Sequence, residues 1–172
     1  LKILRGAWSN EQLSLERKVN TTYPNRIQQY QRQIEQIRQD VTLLEQSKGG
    51  DFSIMLDGKR YTERPEAGEA LALLYRRISE GRKKDDYDFE IGAYRGFRLY
   101  LSFDPFSAGL VLRGSSRYNT DIGSSGQGAI TRIENLAERI PSYLTYAQRD
   151  LEEVQKQLEA ARQQMGQPFI YE

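Results

Sequence analysis

The chain has 172 residues, and 25 Lys or Arg against 24 Asp or Glu give it a formal net charge of only +1. Near neutrality excludes a global electrostatic field that would draw the protein onto nucleic acid or acidic lipid, so any basic surface must be local. The absence of Cys and His excludes disulfides, thiol nucleophiles, Ser-His-Asp triads and nearly all zinc sites. Because 28% of the residues are charged and only 38% are hydrophobic, we expect long surface helices.

The first block, residues 1–50, predicts helices with a narrow apolar seam. Pro24 suits the first turn of the main helix, Gly49 and Gly50 suit its end, and Ser9 with Gln12 predicts a cap for a shorter helix upstream. The 3–4 spacing that indicates a coiled coil is shared by Ile27, Tyr30, Ile34, Ile37, Val41 and Leu44.

The middle block, residues 51–122, predicts an α+β head. Asp57-Gly58 is a strong hairpin signal between short strands at 52–56 and 59–62. Pro65 predicts the start of a helix with an apolar face, and further strands are predicted at 89–94, 97–103 and 110–112. This pattern indicates an antiparallel sheet with one covering helix.

The last block, residues 123–172, predicts a long helix with a second seam. Pro141 predicts a bend or a break at 139–142, because its ring removes one backbone donor. Positions at the 3–4 spacing are Ile130, Ile133, Ala137, Ile140, Leu144, Ala147, Leu151, Val154, Leu158, Ala161 and Met165.

The three blocks together predict an α+β fold in which the first and last helices form an antiparallel coiled-coil hairpin carrying the inserted sheet head. The expected divisions are 1–50, 51–122 and 123–172. A coiled coil between two copies uses the same physics, so a homodimer remains an open alternative.

The most suggestive chemistry lies in the predicted sheet. Between residues 91 and 120 four arginines face one acidic residue, Asp104, and aromatic residues are interleaved with them. In the strand at 97–103 the odd positions are apolar, which places Arg98 and Tyr100 on the opposite face. Guanidinium groups beside an aromatic ring are typical of nucleic-acid-binding sheets, although both residue types also suit a solvated strand.

Other motifs favour structural interpretations. The Gly-rich stretch 123–128 matches neither the P-loop nor G-x-G-x-x-G, and predicts a flexible junction capped by Ser124 or Thr131. Acidic residues near predicted helix starts complement the helix dipole, and a basic stretch at 76–84 precedes balancing aspartates. The acidic residues are Glu63, Glu66 and Glu134, and the basic ones are Arg76, Arg77, Arg82, Lys83 and Lys84.

Several phrases resemble the C-terminal region of large Snf2-family helicases and DNA methylase–helicase fusions of conjugative elements and phages. They are FSIMLDGKRYTE at 52–63, EAG at 66–68, IGAYRGF at 91–97, TRIEN at 131–135 and Pro168-Phe169. The chain has neither a Walker A lysine nor a methylase Asn-Pro-Pro-Tyr motif, so the resemblance implies an accessory region and assigns no catalytic residue.

We therefore expect a non-enzymatic accessory module of a DNA helicase or methylase, with DNA and other domains of the parent protein as partners. No cofactor, metal or membrane is expected, and the start at residues 1–6 favours a cytoplasmic fragment of a longer chain. The alternative is a structural coiled-coil interaction or dimerisation module without DNA contact. The candidate nucleic-acid-binding residues are Arg60, Arg64, Arg95, Arg98, Tyr100, Arg113 and Arg117.

Overall fold

A computed structural model describes residues 2–167 and confirms the α+β class; the Pro168-Phe169 phrase lies outside the described residues. None of the described helices is both long and apolar enough to cross a membrane. The elements are α1 (Lys2–Arg17), a π-helical segment (Lys18–Thr22), α2 (Tyr23–Glu45), β1 (Ile54–Leu56), β2 (Lys59–Tyr61), α3 (Arg64–Gly81), β3 (Asp88–Tyr94), β4 (Phe97–Phe103), β5 (Ala108–Arg113), β6 (Arg117–Asp121) and α4 (Gly126–Met165).

The chain divides into two compact units, one of Leu1–Glu35 with Leu144–Glu172 and the other of Gln36–Tyr143. The first unit is helical. A hydrophobic cluster joins its N-terminal and C-terminal helices, and Gln164 donates a 2.9 Å hydrogen bond to Glu11 across them. Burial of these apolar side chains stabilises both helices, because a helix with a narrow apolar stripe is not stable alone. The cluster comprises Leu15, Val19, Leu158 and Ala161, with Tyr23, Ile27 and Met165 packed against it.

The helix boundary predicted near Ser9 is wrong, because α1 runs through it from Lys2. Pro24 does not begin a separate helix either, since α1, the π-helical segment and α2 follow one another without interruption. The Tyr23 N–H donates to the Lys18 carbonyl, five residues back, just before Pro24. A π-turn at this place accommodates a proline ring that has no N–H and would crowd the carbonyl four residues earlier.

The break predicted at Pro141 is also wrong, because α4 is continuous from Gly126 to Met165. Proline removes a single backbone hydrogen bond here, while Ala137 and Ile140 on the preceding turn are fully buried and keep that turn packed. The Ser142 hydroxyl also donates a hydrogen bond of 2.6 Å to the Arg139 carbonyl, two residues before the proline. Every predicted seam position of α2 and α4 is at least partly buried.

The second unit contains a six-stranded antiparallel sheet of order β2-β1-β3-β4-β5-β6. Two-residue turns join β1 to β2 and β3 to β4. Asp57-Gly58 and Arg95-Gly96 both have positive φ at their two residues, as type I′ turns require. The sequence did not predict β6, whose residues are almost all polar.

Helices cover one face of this sheet. Phe97, Leu99 and Leu101 are fully buried, and Tyr75 of α3 stacks on Phe103 at a ring distance of 6.0 Å. Alternate residues of β4 are partly or fully exposed, which leaves the other face open to solvent. Fully buried residues of α4 contribute to the same core: Ile133, Leu136, Ala137 and Ile140.

Backbone contact between α3 and α4 explains part of the Gly-rich stretch. A Cβ on Gly126 would collide with the carbonyl of Gly68, so both positions require glycine. The cap of α4 is Ser125 and not the predicted Ser124 or Thr131, because Ser125 Oγ accepts from the Gly128 N–H at 3.0 Å.

Candidate nucleic-acid interface

Strand pairing brings four arginines into one row on the open face of the sheet. Arg98 lies opposite Arg113, and Arg113 lies opposite Arg117 on the next strand. On the other side of β4 the row continues through Ala93 and Met55 to Arg60. Directly paired residues share a face, so these side chains point the same way. We call Arg60, Arg98, Arg113 and Arg117 the arginine row.

The central pair of the arginine row makes no ion pair within the described residues, although the charge of Arg113 helps to lower the pKa of Asp88. Arg98 and Arg113 are exposed, and neither makes a hydrogen bond or ion pair with any residue between 2 and 167. Like charges directly opposite each other on neighbouring strands are destabilising. The sheet therefore tolerates a local concentration of positive charge that its own fold does not need.

Arg117, at the end of the arginine row, forms an ion pair with an acidic residue of the same sheet. Its guanidinium contacts Asp88 at 3.0 Å and the Ser102 hydroxyl at 3.3 Å. These bonds hold the pKa of Asp88 below its usual value, chiefly through the hydrogen bond from Arg117. Because β6 and β3 are separated by two strands, the contact requires the sheet to coil, which makes this part of the open face concave.

Tyr100 lies on the same face, two residues along β4 from Arg98. Its neighbours across the strands are Glu90 of β3 and Val111 of β5. Tyr100 is partly exposed, whereas Val111 is 1% exposed although it belongs to the open face. An aromatic ring on an interior strand therefore borders the arginine row.

Arg64 is placed away from this row, at the start of α3. Its guanidinium forms a two-pronged ion pair with Glu134 of α4, with nitrogen–oxygen distances of 2.9 and 3.1 Å. It also lies 4.7 Å from the centre of the Phe52 ring. This ion pair links α3 to α4, and it engages guanidinium N–H groups that would otherwise be available to bind a phosphate.

Arg95 is likewise engaged within the fold. It adopts a φ of 50° in the β3–β4 turn, and its side chain is only 17% exposed. Its guanidinium donates to Ser47 Oγ, to the Leu44 carbonyl and to Glu138, at 2.7, 2.9 and 3.0 Å. A cation at the last carbonyls of α2 also complements the helix dipole. Arg95 therefore joins α2, α4 and the turn.

A cleft of about 620 Å³ lies beside Arg64 and Arg95. Arg60, Met55 and Ala93 line both this cleft and one end of the arginine row, so the two features are continuous. Its wall carries both basic and acidic side chains, which are Lys48, Arg60, Arg64 and Arg95 and Glu45, Asp51, Glu134 and Glu138.

Sequence reasoning missed Asp40, which organises the β5–β6 turn. This α2 residue is 1% exposed and accepts hydrogen bonds from the Ser115 and Ser116 N–H groups at 2.6 and 2.9 Å and from the Tyr118 hydroxyl at 2.7 Å. Burial, and to a smaller degree the bond to Asp40, raises the pKa of Tyr118. The turn that Asp40 holds lies between Arg113 and Arg117.

Two residues of the basic stretch at 76–84 have local partners. Arg77 pairs with Asp57 at 3.1 Å, and Arg82 donates to the Asp86 carbonyl while lying over the Phe103 ring. Within residues 2–167 no group of acidic side chains is arranged to hold a metal ion.

No protein-family model matches the chain, and neither a curated protein nor a solved structure is significantly similar to it.

Proposed function

We propose that this chain is a non-catalytic accessory module that helps a larger protein to bind or position DNA. The observation that supports the proposal most directly is the exposed Arg98–Arg113 pair. Two guanidinium groups held side by side without a carboxylate bonded to either repel each other, and a phosphate bound between them would reduce that repulsion. Contacts of this kind position a nucleic-acid backbone without reading its sequence.

The proposed interface is the arginine row together with Tyr100. Arg64 and Arg95 are also among the residues predicted from the sequence to bind nucleic acid. However, the Arg64 guanidinium bonds to Glu134. The Arg95 guanidinium bonds to Ser47, Glu138 and the Leu44 carbonyl. We therefore assign them a supporting role, in which they hold the helices against the sheet.

The test is a titration of fluorescent DNA with the 172-residue chain at low salt, using the double variant Arg98→Gln/Arg113→Gln. We expect this variant to bind DNA about tenfold more weakly, because it loses two phosphate contacts. The dependence of log affinity on log salt should also become shallower by about 1.4 to 1.8.

A matched control removes the same charge elsewhere. Arg76 of α3 and Arg132 of α4 are exposed on helices that cover the opposite side of the sheet. Arg76→Gln/Arg132→Gln should retain the original affinity within about twofold, since it leaves the local phosphate contacts intact. Equal losses in both double variants would indicate a diffuse charge effect, and undetectable binding by the original chain would refute the proposal.

A second measurement concerns Asp88, which forms an ion pair with Arg117 in the DNA-free protein. Asp88→Asn should strengthen DNA binding by roughly two- to fivefold, because it frees Arg117 and removes one negative charge from the face. The pair is about half exposed, at 48% and 42%, so the stability of the protein should hardly change. Weaker binding by Asp88→Asn would show that the ion pair itself forms part of the site.

The sequence resemblance supports the wider context of this proposal. The phrases at 52–63 and 91–97 resemble accessory regions of Snf2-family helicases and methylase fusions, which act on DNA in the cytoplasm of their hosts. We propose that the parent protein is of this kind and that its other domains are partners of the module. Each of these domains, expressed separately, can be tested for binding to the chain.

A second candidate function is a structural interaction or dimerisation module. The cluster that joins Leu15 and Val19 to Leu158 and Ala161 favours it, because its members are spaced three or four residues apart on each helix. We propose that the first and last helices pair as an antiparallel coiled coil. If two copies pair instead, the molar mass measured by light scattering should rise with concentration, whereas a constant monomer mass supports pairing within one chain.

A further inference from the structure

We propose that the open face binds single-stranded DNA in preference to duplex DNA, with the strand running across the sheet along the arginine row and a base stacked on Tyr100. This inference rests on the proposed function and names the form of DNA that the same surface takes. Three features of the described residues carry it: the width of the face, the position of Tyr100 and the continuity of the row.

The width of the sheet argues against insertion into a duplex groove. Five strand intervals of about 4.8 Å make the face about 24 Å wide. The major groove is about 12 Å wide and accepts a helix or a two-stranded ribbon. Both hairpins with type I′ turns have two-residue loops, Asp57-Gly58 and Arg95-Gly96, and so offer no long arm that could enter the groove.

Tyr100 supplies a feature that a duplex would not use. Its ring belongs to an interior strand, lies on the open face and is partly exposed. Bases within a duplex are stacked on each other and cannot lie flat on such a ring, whereas an unpaired base can. Two residues of β4 separate Tyr100 from Arg98 by about 6.8 Å, so one nucleotide can place its phosphate near the arginine and its base near the tyrosine.

The arginine row provides a track for the backbone. Its members lie on β2, β4, β5 and β6, so a strand that follows them crosses the strands of the sheet. The concave curvature implied by the Arg117–Asp88 contact fits a thin, flexible chain. At the β2 end, Arg60 also lines the 620 Å³ cleft, where the polymer can continue. A row about 24 Å long is compatible with the site sizes of about 4 to 16 nucleotides that are typical of single-strand-binding folds.

The experiment measures the affinity of the 172-residue chain for oligothymidylates of 4, 8 and 16 nucleotides and for a 16-base-pair duplex. We expect affinity to rise steeply between 4 and 8 nucleotides and to level off beyond, and the duplex to bind less tightly. Tyr100→Ala should reduce single-strand affinity about tenfold, while Tyr100→Phe should stay within about twofold because it keeps the ring. Equal urea midpoints of the two variants would show that the difference comes from stacking.

The outcomes separate this inference from the proposed function. Duplex binding at least as tight as single-strand binding, with no effect of Tyr100→Ala, would overturn the inference and leave DNA binding intact. Tighter binding of a uridylate 16-mer than of the thymidylate 16-mer would also overturn it, in favour of RNA. No binding to any of these oligonucleotides would overturn both.

Discussion

Replacing Asp40 with alanine is expected to lower the free energy of unfolding by about 3 to 5 kcal/mol. Asp40 is the acceptor for two backbone N–H groups of the β5–β6 turn and for the buried Tyr118 hydroxyl. The substitution leaves these donors without a partner inside the protein, and the cost of each unsatisfied buried group adds to the loss of the bonds.

Urea unfolding followed by far-UV circular dichroism measures this effect, and two further variants resolve its origin. Tyr118→Phe removes one of the three bonds and should cost only about 1 to 2 kcal/mol. Asp51→Ala, which removes an exposed acid with no hydrogen bond or ion pair among the described residues, should change stability by less than about 0.5 kcal/mol. A loss below about 1 kcal/mol for Asp40→Ala would contradict the role of this residue as the anchor of the turn.

The second large effect is expected for Gly92→Ala, which should destabilise the protein by about 3 kcal/mol or more. A Cβ at position 92 would overlap the Met55 carbonyl oxygen, which belongs to the backbone of β1. Relief requires β1 to move away from β3, because a paired strand cannot shift one carbonyl alone. The irregular register between Glu90 and Gly92 lies at the same point of the ladder.

Gly81→Ala is the matched control, since a Cβ there meets nothing within 4 Å. It should change stability by less than about 1 kcal/mol, and the comparison of urea midpoints isolates the steric cost at Gly92. Loosening of the β1–β2 hairpin would also displace Arg60, so Gly92→Ala should weaken DNA binding even where it remains folded. A stability equal to that of Gly81→Ala would show that β1 can shift without losing its pairing.

Much of the candidate site could be predicted from the alternation in β4. The even positions of that strand are more polar than the odd ones, so the sequence alone predicts that Arg98 and Tyr100 share one face, and the structure shows these positions to be the more exposed ones. The positions of Arg64 and Arg95 could not be predicted in this way. Their partners, Glu134 and Glu138, are distant in sequence, and local patterns contain no information on such contacts.

The amino-acid sequence alone specifies the elements whose cause is local. The 3–4 spacing of apolar residues specifies the long helices, and Asp57-Gly58 specifies a turn with two positive φ values. It also determined the overall α+β class, because the periodicity changes from helical to alternating within the middle block.

Other features depend on contacts between residues that are distant in the chain. The polar β6 exists as a strand because β5 offers it a ladder, and that pairing sets Arg117 opposite Arg113. Asp40 lies on the buried face of α2 between Ile37 and Leu44, and this face accepts a carboxylate because the β5–β6 turn brings three donors to it. The α4 helix passes through Pro141 because the packing of its neighbours outweighs one missing hydrogen bond. In each case the deciding energy comes from contacts between residues far apart in the chain.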